Sequence, residues 1–210
     1  MKSGLNISTI LILPVLCTVP MALMAQNAAP NMSFFVTSVG PGDGANLKGL
    51  AGADAHCQAL AQAKGAGNRT WRAYLSTQGA SAVNAKDRIG KGPWNNAKGV
   101  QVAQNVADLH GKTSNMKEET IVTEAGGRPS RHDMLTGSQV NGTAFPPGED
   151  RTCANWTSND KGRPWVGHGD LKAKGVPGSP WNSAHASAGC SPPALQSTGG
   201  DGLFYCFAAN

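Results

Sequence analysis

Charge is scarce in this sequence: acidic and basic residues together make up 15% of the chain, and Lys and Arg never form a run. That excludes the dense basic face a phosphate backbone needs, so no nucleic-acid partner is expected. After residue 23 there is no second long apolar stretch, so no segment of a mature chain is expected to span a membrane. The sequence has no CxxC pair and no Cys/His spacing of the finger type, which argues against a structural zinc site. It also lacks GxSxG, HExxH and paired-carboxylate motifs, so no familiar catalytic signature is present. Internal repeats and domain linkers are absent as well.

What is present begins with an export pattern. Lys2 precedes an apolar run over residues 7–23 that Pro14 and Pro20 interrupt, and Ala22, Ala25, Ala28 and Ala29 follow. Such a run is too short and broken to span a bilayer and reads as a cleavable secretory signal over residues 1–25. Residues 26–32 then form a flexible polar leader, and residues 33–210 form a single domain. The expected location is periplasmic or extracellular. The net charge of +5 falls to +4 once Lys2 is removed, which supports no more than a weak preference for anionic surfaces.

Of the five cysteines, Cys57, Cys153, Cys190 and Cys206 lie beyond the signal. An even count in an oxidising compartment implies two disulfides, with three pairings open. The 27 glycines suit a loop-rich, β-containing extracellular domain better than a helical bundle.

Residues 33–39 (SFFVTSV) read as a strand closed by the turn signal of residues 40–44. Leu50, Ala53, Cys57, Leu60 and Ala61 recur at helical spacing, with Asp54 expected in the first turn and Gly65 placed to close the C-terminus. Residues 70–77 (TWRAYLST) read as a half-buried strand with Trp71, Ala73 and Leu75 inward and Arg72 and Tyr74 outward. Residues 84–111 give no clear element. Short strands are expected at 120–123, 134–138 and 154–157, and Asn141-Gly142 carries a hairpin signal. Residues 162–200 read as long surface loops pinned by Cys190. Residues 203–208 (LFYCFA) read as a last strand that needs a partner, for which the first strand is the candidate.

The order of these pieces carries a resemblance. A helix bearing Cys57, then WRAYLS, LTGS, TCANWTS, the loop Cys190 and the terminal FYCF together resemble endostatin-like domains. These are a variant of the C-type-lectin fold found at collagen C-termini and in secreted bacterial proteins, including leptospiral endostatin-like proteins. The match covers most of residues 50–208. It implies an α+β fold of short mixed and antiparallel sheets, one or two helices and long loops, with the terminal strands paired. It also implies nested disulfides, Cys57 with Cys206 and Cys153 with Cys190, and a binding module for glycans, matrix proteins or host regulators. The EPN, QPD and WND triplets of calcium-dependent lectins are missing; Trp181-Asn182-Ser183 lacks the final carboxylate. The N-terminal histidines of the endostatin zinc site have no counterpart in the leader.

Three His/Asp pairs stand close in sequence: Asp108/His110, His132/Asp133 and His168/Asp170. Each could orient a base or supply metal ligands, although loop adjacency fits turn-forming roles more simply. Asp43, Asn46 and Asp54 read as turn chemistry rather than a calcium site. Trp71 and Trp156 are expected in the core. Trp165 and Trp181, in polar loops near His168, Asp170, Asn182 and His185, either anchor a ligand or plug the underside of the loops. The expected function is a secreted, calcium-independent binding module for a glycan or an extracellular or cell-surface protein, lectin-like or adhesive. No catalysis, cofactor or metal is expected, and Trp165, His168, Asp170, Trp181, Asn182 and His185 are the candidate contacts. An exported hydrolase using a His/Asp loop pair and a structural envelope protein are the alternatives.

Overall fold

The computed structural model describes residue 1, residues 30–171 and residues 180–210. Of the signal assigned to residues 1–25, residues 2–25 lie outside the described residues, as do residues 26–29 of the leader. No helix among the described residues is long and apolar enough to cross a membrane.

The fold is α+β, organised around its last strand. In chain order the strands are β1 (Phe34–Val36), β2 (Trp71–Ala73), β3 (Trp94–Asn95), β4 (Gln101–Ala103), β5 (Asp133–Leu135), β6 (Trp165–His168), β7 (His185–Ala186) and β8 (Gly200–Ala208). β8 pairs antiparallel with β1, placing Phe35 opposite Cys206, and antiparallel with β2, placing Ala73 opposite Cys206. Its first half runs parallel to β5, which continues antiparallel to β6 and then to β7. β3 and β4 form a separate two-stranded sheet. The first and last strands thus pair in one sheet.

Both faces of β8 are covered, which explains its unbroken apolar run. Phe204, Cys206 and Ala208 point into one core with Phe35, Trp71, Cys57 and Trp156. Leu203, Tyr205 and Phe207 point into a second core with Phe34, Tyr74, Trp94 and Trp181, following the two-residue alternation of a strand.

The first core is closed by helix α1 (Gly49–Ala63), whose buried residues are Ala53, Asp54, Cys57 and Ala61. Gly65, at φ 78°, donates its N–H to Gln62, and the Ala66 N–H reaches Ala61, so the C-terminus ends in a Schellman turn. Asp54 does not lie in the first turn, because the helix starts at Gly49. It sits mid-helix and is buried, with Arg88 Nη2 at 2.7 and 2.8 Å from its two oxygens and Arg72 Nη1 at 2.8 Å. Asp43 instead receives the Asn46 side-chain amide at 2.8 Å, an exposed turn contact. Cys57 is joined to Cys206 and Cys153 to Cys190, with Cα separations of 5.7 and 5.9 Å.

Several sequence expectations are corrected. Tyr74 is fully buried, since the strand ends at Ala73 and the chain turns into the second core. Residues 120–123 form one isolated bridge between Val36 and Thr123 rather than a strand. Residues 162–200 are not all loop; they carry β6, β7 and the short helix Pro192–Ser197.

The largest departure is at residues 153–156. Cys153, Ala154, Asn155 and Trp156 have φ of 50, 54, 56 and 69°, a left-handed turn where a strand was expected. Such a turn costs roughly 1–2 kcal/mol per non-glycine residue, so its surroundings must hold it. Trp156 Nε1–H donates to the Ser76 carbonyl at 2.8 Å, the Ala154 N–H to Asp150 at 2.7 Å and the Gln78 N–H to Asn155 Oδ1 at 2.8 Å. The Cys153–Cys190 disulfide fixes its start.

Candidate functional site

Strand β6 carries the chemistry that distinguishes this molecule, and it presents different chemistry at its two ends. At the N-terminal end, Trp165 is half-buried beside a groove of about 450 Å³ that it lines with His110, Val140, Asn141, Phe145 and Ser183. Its ring meets Phe145 edge-on at 5.2 Å, and the Arg151 guanidinium lies 4.5 Å from its centroid. Trp165 Nε1–H donates to Ser183 Oγ at 2.8 Å, which fixes the indole plane.

The groove floor is a chain of hydrogen bonds. Asn182 Nδ2 donates to Tyr74 Oη at 2.9 Å, Tyr74 Oη–H donates to His110 Nε2 at 2.6 Å, and His110 Nδ1–H donates to the Val106 carbonyl at 2.8 Å. The chain closes in that order only with His110 neutral. Burial accordingly holds the His110 pKa below its ordinary value, and burial likewise drives the Tyr74 hydroxyl well above its own. Asn182 also ties down the Asn141-Gly142 hairpin, donating to the Gln139 and Val140 carbonyls at 3.2 and 3.0 Å.

Trp181 is not a surface anchor. It is buried against Tyr74, with ring centroids 4.8 Å apart, and against Tyr205 at 5.1 Å, while its Nε1–H donates to the Leu109 carbonyl. Asn182 is 1% exposed and equally structural. Both lie beneath the groove rather than on it.

At the other end of β6 a polar cluster replaces the core. Asp133 pairs with His168 across β5 and β6, and His185 pairs with Val166 across β6 and β7. Alternation therefore puts Asp133, His168 and His185 on one face of the sheet. His132 joins them from just before β5. Its ring packs against Gly199, where a Cβ would stand 2.3 Å from the imidazole, so only glycine leaves room for it.

Three imidazole nitrogens converge on a single carboxylate oxygen. From Asp133 Oδ1 the distances are 3.1 Å to His168 Nε2, 3.4 Å to His132 Nε2 and 3.5 Å to His185 Nε2. His168 Nε2 and His185 Nε2 are 2.8 Å apart. The Asp133 side chain is 1% exposed, and neither of its oxygens has an aligned hydrogen-bond donor among the described residues. Burial alone would raise the Asp133 pKa, but the facing imidazoles of His168 and His185 hold it below the ordinary value. The same carboxylate raises the His185 pKa. Asp170 Oδ1 stands 3.6 Å from His168 Nδ1.

The six residues expected at one recognition surface thus divide three ways: Trp165 on the groove, Trp181 and Asn182 under it, and His168, Asp170 and His185 in or beside the cluster. Sequence reasoning missed Asp133 as the centre of the cluster and Phe145, Arg151 and His110 as neighbours of the groove. The HisAsp dipeptide at 132–133 was the available signal for the first. Asp108 and His110 do not act together, since Asp108 accepts from Thr113 and from the Gln104 N–H while His110 faces Tyr74.

A comparison with protein-family models found no match, and a search of curated proteins found none either.

Proposed function

We propose that this chain is an exported, endostatin-like binding module whose contact surface is the groove beside Trp165, with a glycan or an extracellular protein as its ligand. The observation that carries the reading is the half-open Trp165–Phe145 pair under the Arg151 guanidinium. A rigid indole, fixed by Ser183 and flanked by amides at Gln139 and Asn141, offers an apolar platform with polar groups at its edge. That combination suits stacking of a sugar ring or insertion of a protein side chain.

Three further features support the C-type-lectin-like assignment. The first and last strands pair antiparallel, the disulfides nest as the resemblance implies, and long irregular segments project between short strands. A hydrolase built on the His168/Asp170 pair has less support, because His168 is 4% exposed and its Nε2 is already turned to Asp133 and His185.

The test is capture on a panel of glycans and matrix proteins, with and without a calcium chelator. Trp165→Ala should weaken capture by roughly thirtyfold, the effect of losing about 2 kcal/mol at an anchor. The melting temperature should hardly change and the chelator should have no effect. Unchanged capture by the variant would overturn the reading.

A further inference from the structure

We propose that His132, Asp133, His168 and His185 form a binding site for one divalent transition-metal ion of the zinc class. Nothing in the Trp165 groove is needed for this, and alternation along β6 turns Trp165 and His168 to opposite faces.

A tetrahedral zinc ion with bonds of about 2.0–2.1 Å holds its donor atoms roughly 3.3 Å apart. The three Asp133 Oδ1 to Nε2 distances, 3.1, 3.4 and 3.5 Å, bracket that edge, and the His168–His185 edge of 2.8 Å is somewhat short of it. The donor atoms of His132, Asp133 and His168 all lie within 4.8 Å of one another. His185 is not in that mutually close group, so its partly exposed ring must turn to join the other three donors.

A buried carboxylate normally accepts several hydrogen bonds, and leaving one without aligned donors is costly. Among the described residues Asp133 is buried with only the facing imidazoles, those of His168 and His185 foremost, for partners, and neither is aligned for a good hydrogen bond. A dication among these four donors satisfies the carboxylate and all three nitrogen lone pairs at once. Without one, two Nε2 atoms 2.8 Å apart must share a proton between them.

Ligand imidazoles usually donate their remote N–H to a carbonyl or carboxylate, which fixes the tautomer. His185 Nδ1–H donates to the Ala186 carbonyl at 3.0 Å, leaving Nε2 free to bind. His168 Nδ1 faces Asp170. His132 and its neighbour Asp170 also line a cleft of about 260 Å³ with Ser130, Arg131 and Gly169. Three imidazoles and one carboxylate select zinc, cobalt or copper over calcium or magnesium, which prefer oxygen donors. The sequence expectation named no metal and weighed the His132/Asp133 and His168/Asp170 pairs one at a time; here the donors come together from three strands and a turn.

The experiment uses the exported protein with its disulfides intact, stripped by chelator and titrated with cobalt(II). One equivalent should bind with the visible absorption of a tetrahedral nitrogen/oxygen site, zinc should displace it, and calcium should not. His132→Gln and His185→Gln serve as variants because both side chains are partly exposed and their metal-free folds should persist. Each should weaken cobalt binding by more than about tenfold, the lower end of what losing even an outer-sphere partner costs a metal site. His56→Gln should bind as the parent does. Absence of stoichiometric cobalt binding would overturn the proposal, as would binding that both cluster variants leave intact.

Discussion

At one end of β6, Trp165 lies half open beneath the Arg151 guanidinium, and three residues along the same strand His168 is buried against Asp133. The two ends share a backbone and the same supporting strand order, yet one is an aromatic surface and the other a converging set of nitrogen and oxygen donors. Their histidines differ in the same way. His110, beside the aromatic end, sits between Tyr74 and the Val106 carbonyl, and burial holds its pKa below the ordinary value. His185, at the polar end, faces a carboxylate that favours its charged form. Residue type therefore says little about role here; the neighbours decide which imidazole is structural and which is a potential ligand.

Both regions depend on the β8 staple, so breaking it should erase the contrast altogether. Cys57 and Cys206 are 149 residues apart and Cys153 and Cys190 are 37 apart. In the chain-entropy model these closures are worth about 5 and about 4 kcal/mol. Cys206→Ser should lower the unfolding free energy more than Cys190→Ser in urea denaturation. Equal losses would show that β8 is less central than its pairing suggests.

The two tryptophans sharpen the comparison next. Trp181→Ala should destabilise by about 3–5 kcal/mol, as for other buried large aromatics. Trp165→Ala should cost about 1 kcal/mol or less, close to the scale of a partly exposed cation–π contact. Denaturation midpoints that fall equally for the two variants would place Trp165 in the core and remove the groove.

The smallest effect concerns pH. The folded-state pKa of His110 lies below the ordinary 6.5 because of burial, so the unfolded chain takes up this proton first. The contribution of His110 to stability is complete above 6.5 and is lost as the pH falls from there through its folded-state value. The parent should lose more stability over that window than His110→Gln does. A steeper loss in the variant would contradict the hydrogen-bond chain through Tyr74.

Much of the frame was readable from local pattern. The α1 periodicity around Cys57, the β-rich ends of the chain and the Asn141-Gly142 hairpin depend on neighbours in sequence, and each is where periodicity or turn chemistry puts it. Residues 154–157 were misread because ANWT has strand-like propensity, whereas its left-handed turn is held by Ser76, Gln78 and a disulfide from distant positions. Tyr74 was turned outward by simple alternation because nothing local marks the strand as ending at Ala73. The histidine–aspartate cluster was legible only as separate pairs, because Asp133, His168 and His185 meet through the β5–β6–β7 register. Trp165 and Trp181 occupy similar local sequence, and only burial separates them.

If the two ends of β6 are chemically distinct sites, their imidazoles respond separately to a metal. The direct measurement is a long-range nitrogen–proton NMR spectrum of the five imidazoles before and after one equivalent of zinc. The Nε2 signals of His132, His168 and His185 should shift together, while His56 and His110 stay where they were. Movement of His110 with the others, or no movement of the three, would contradict it.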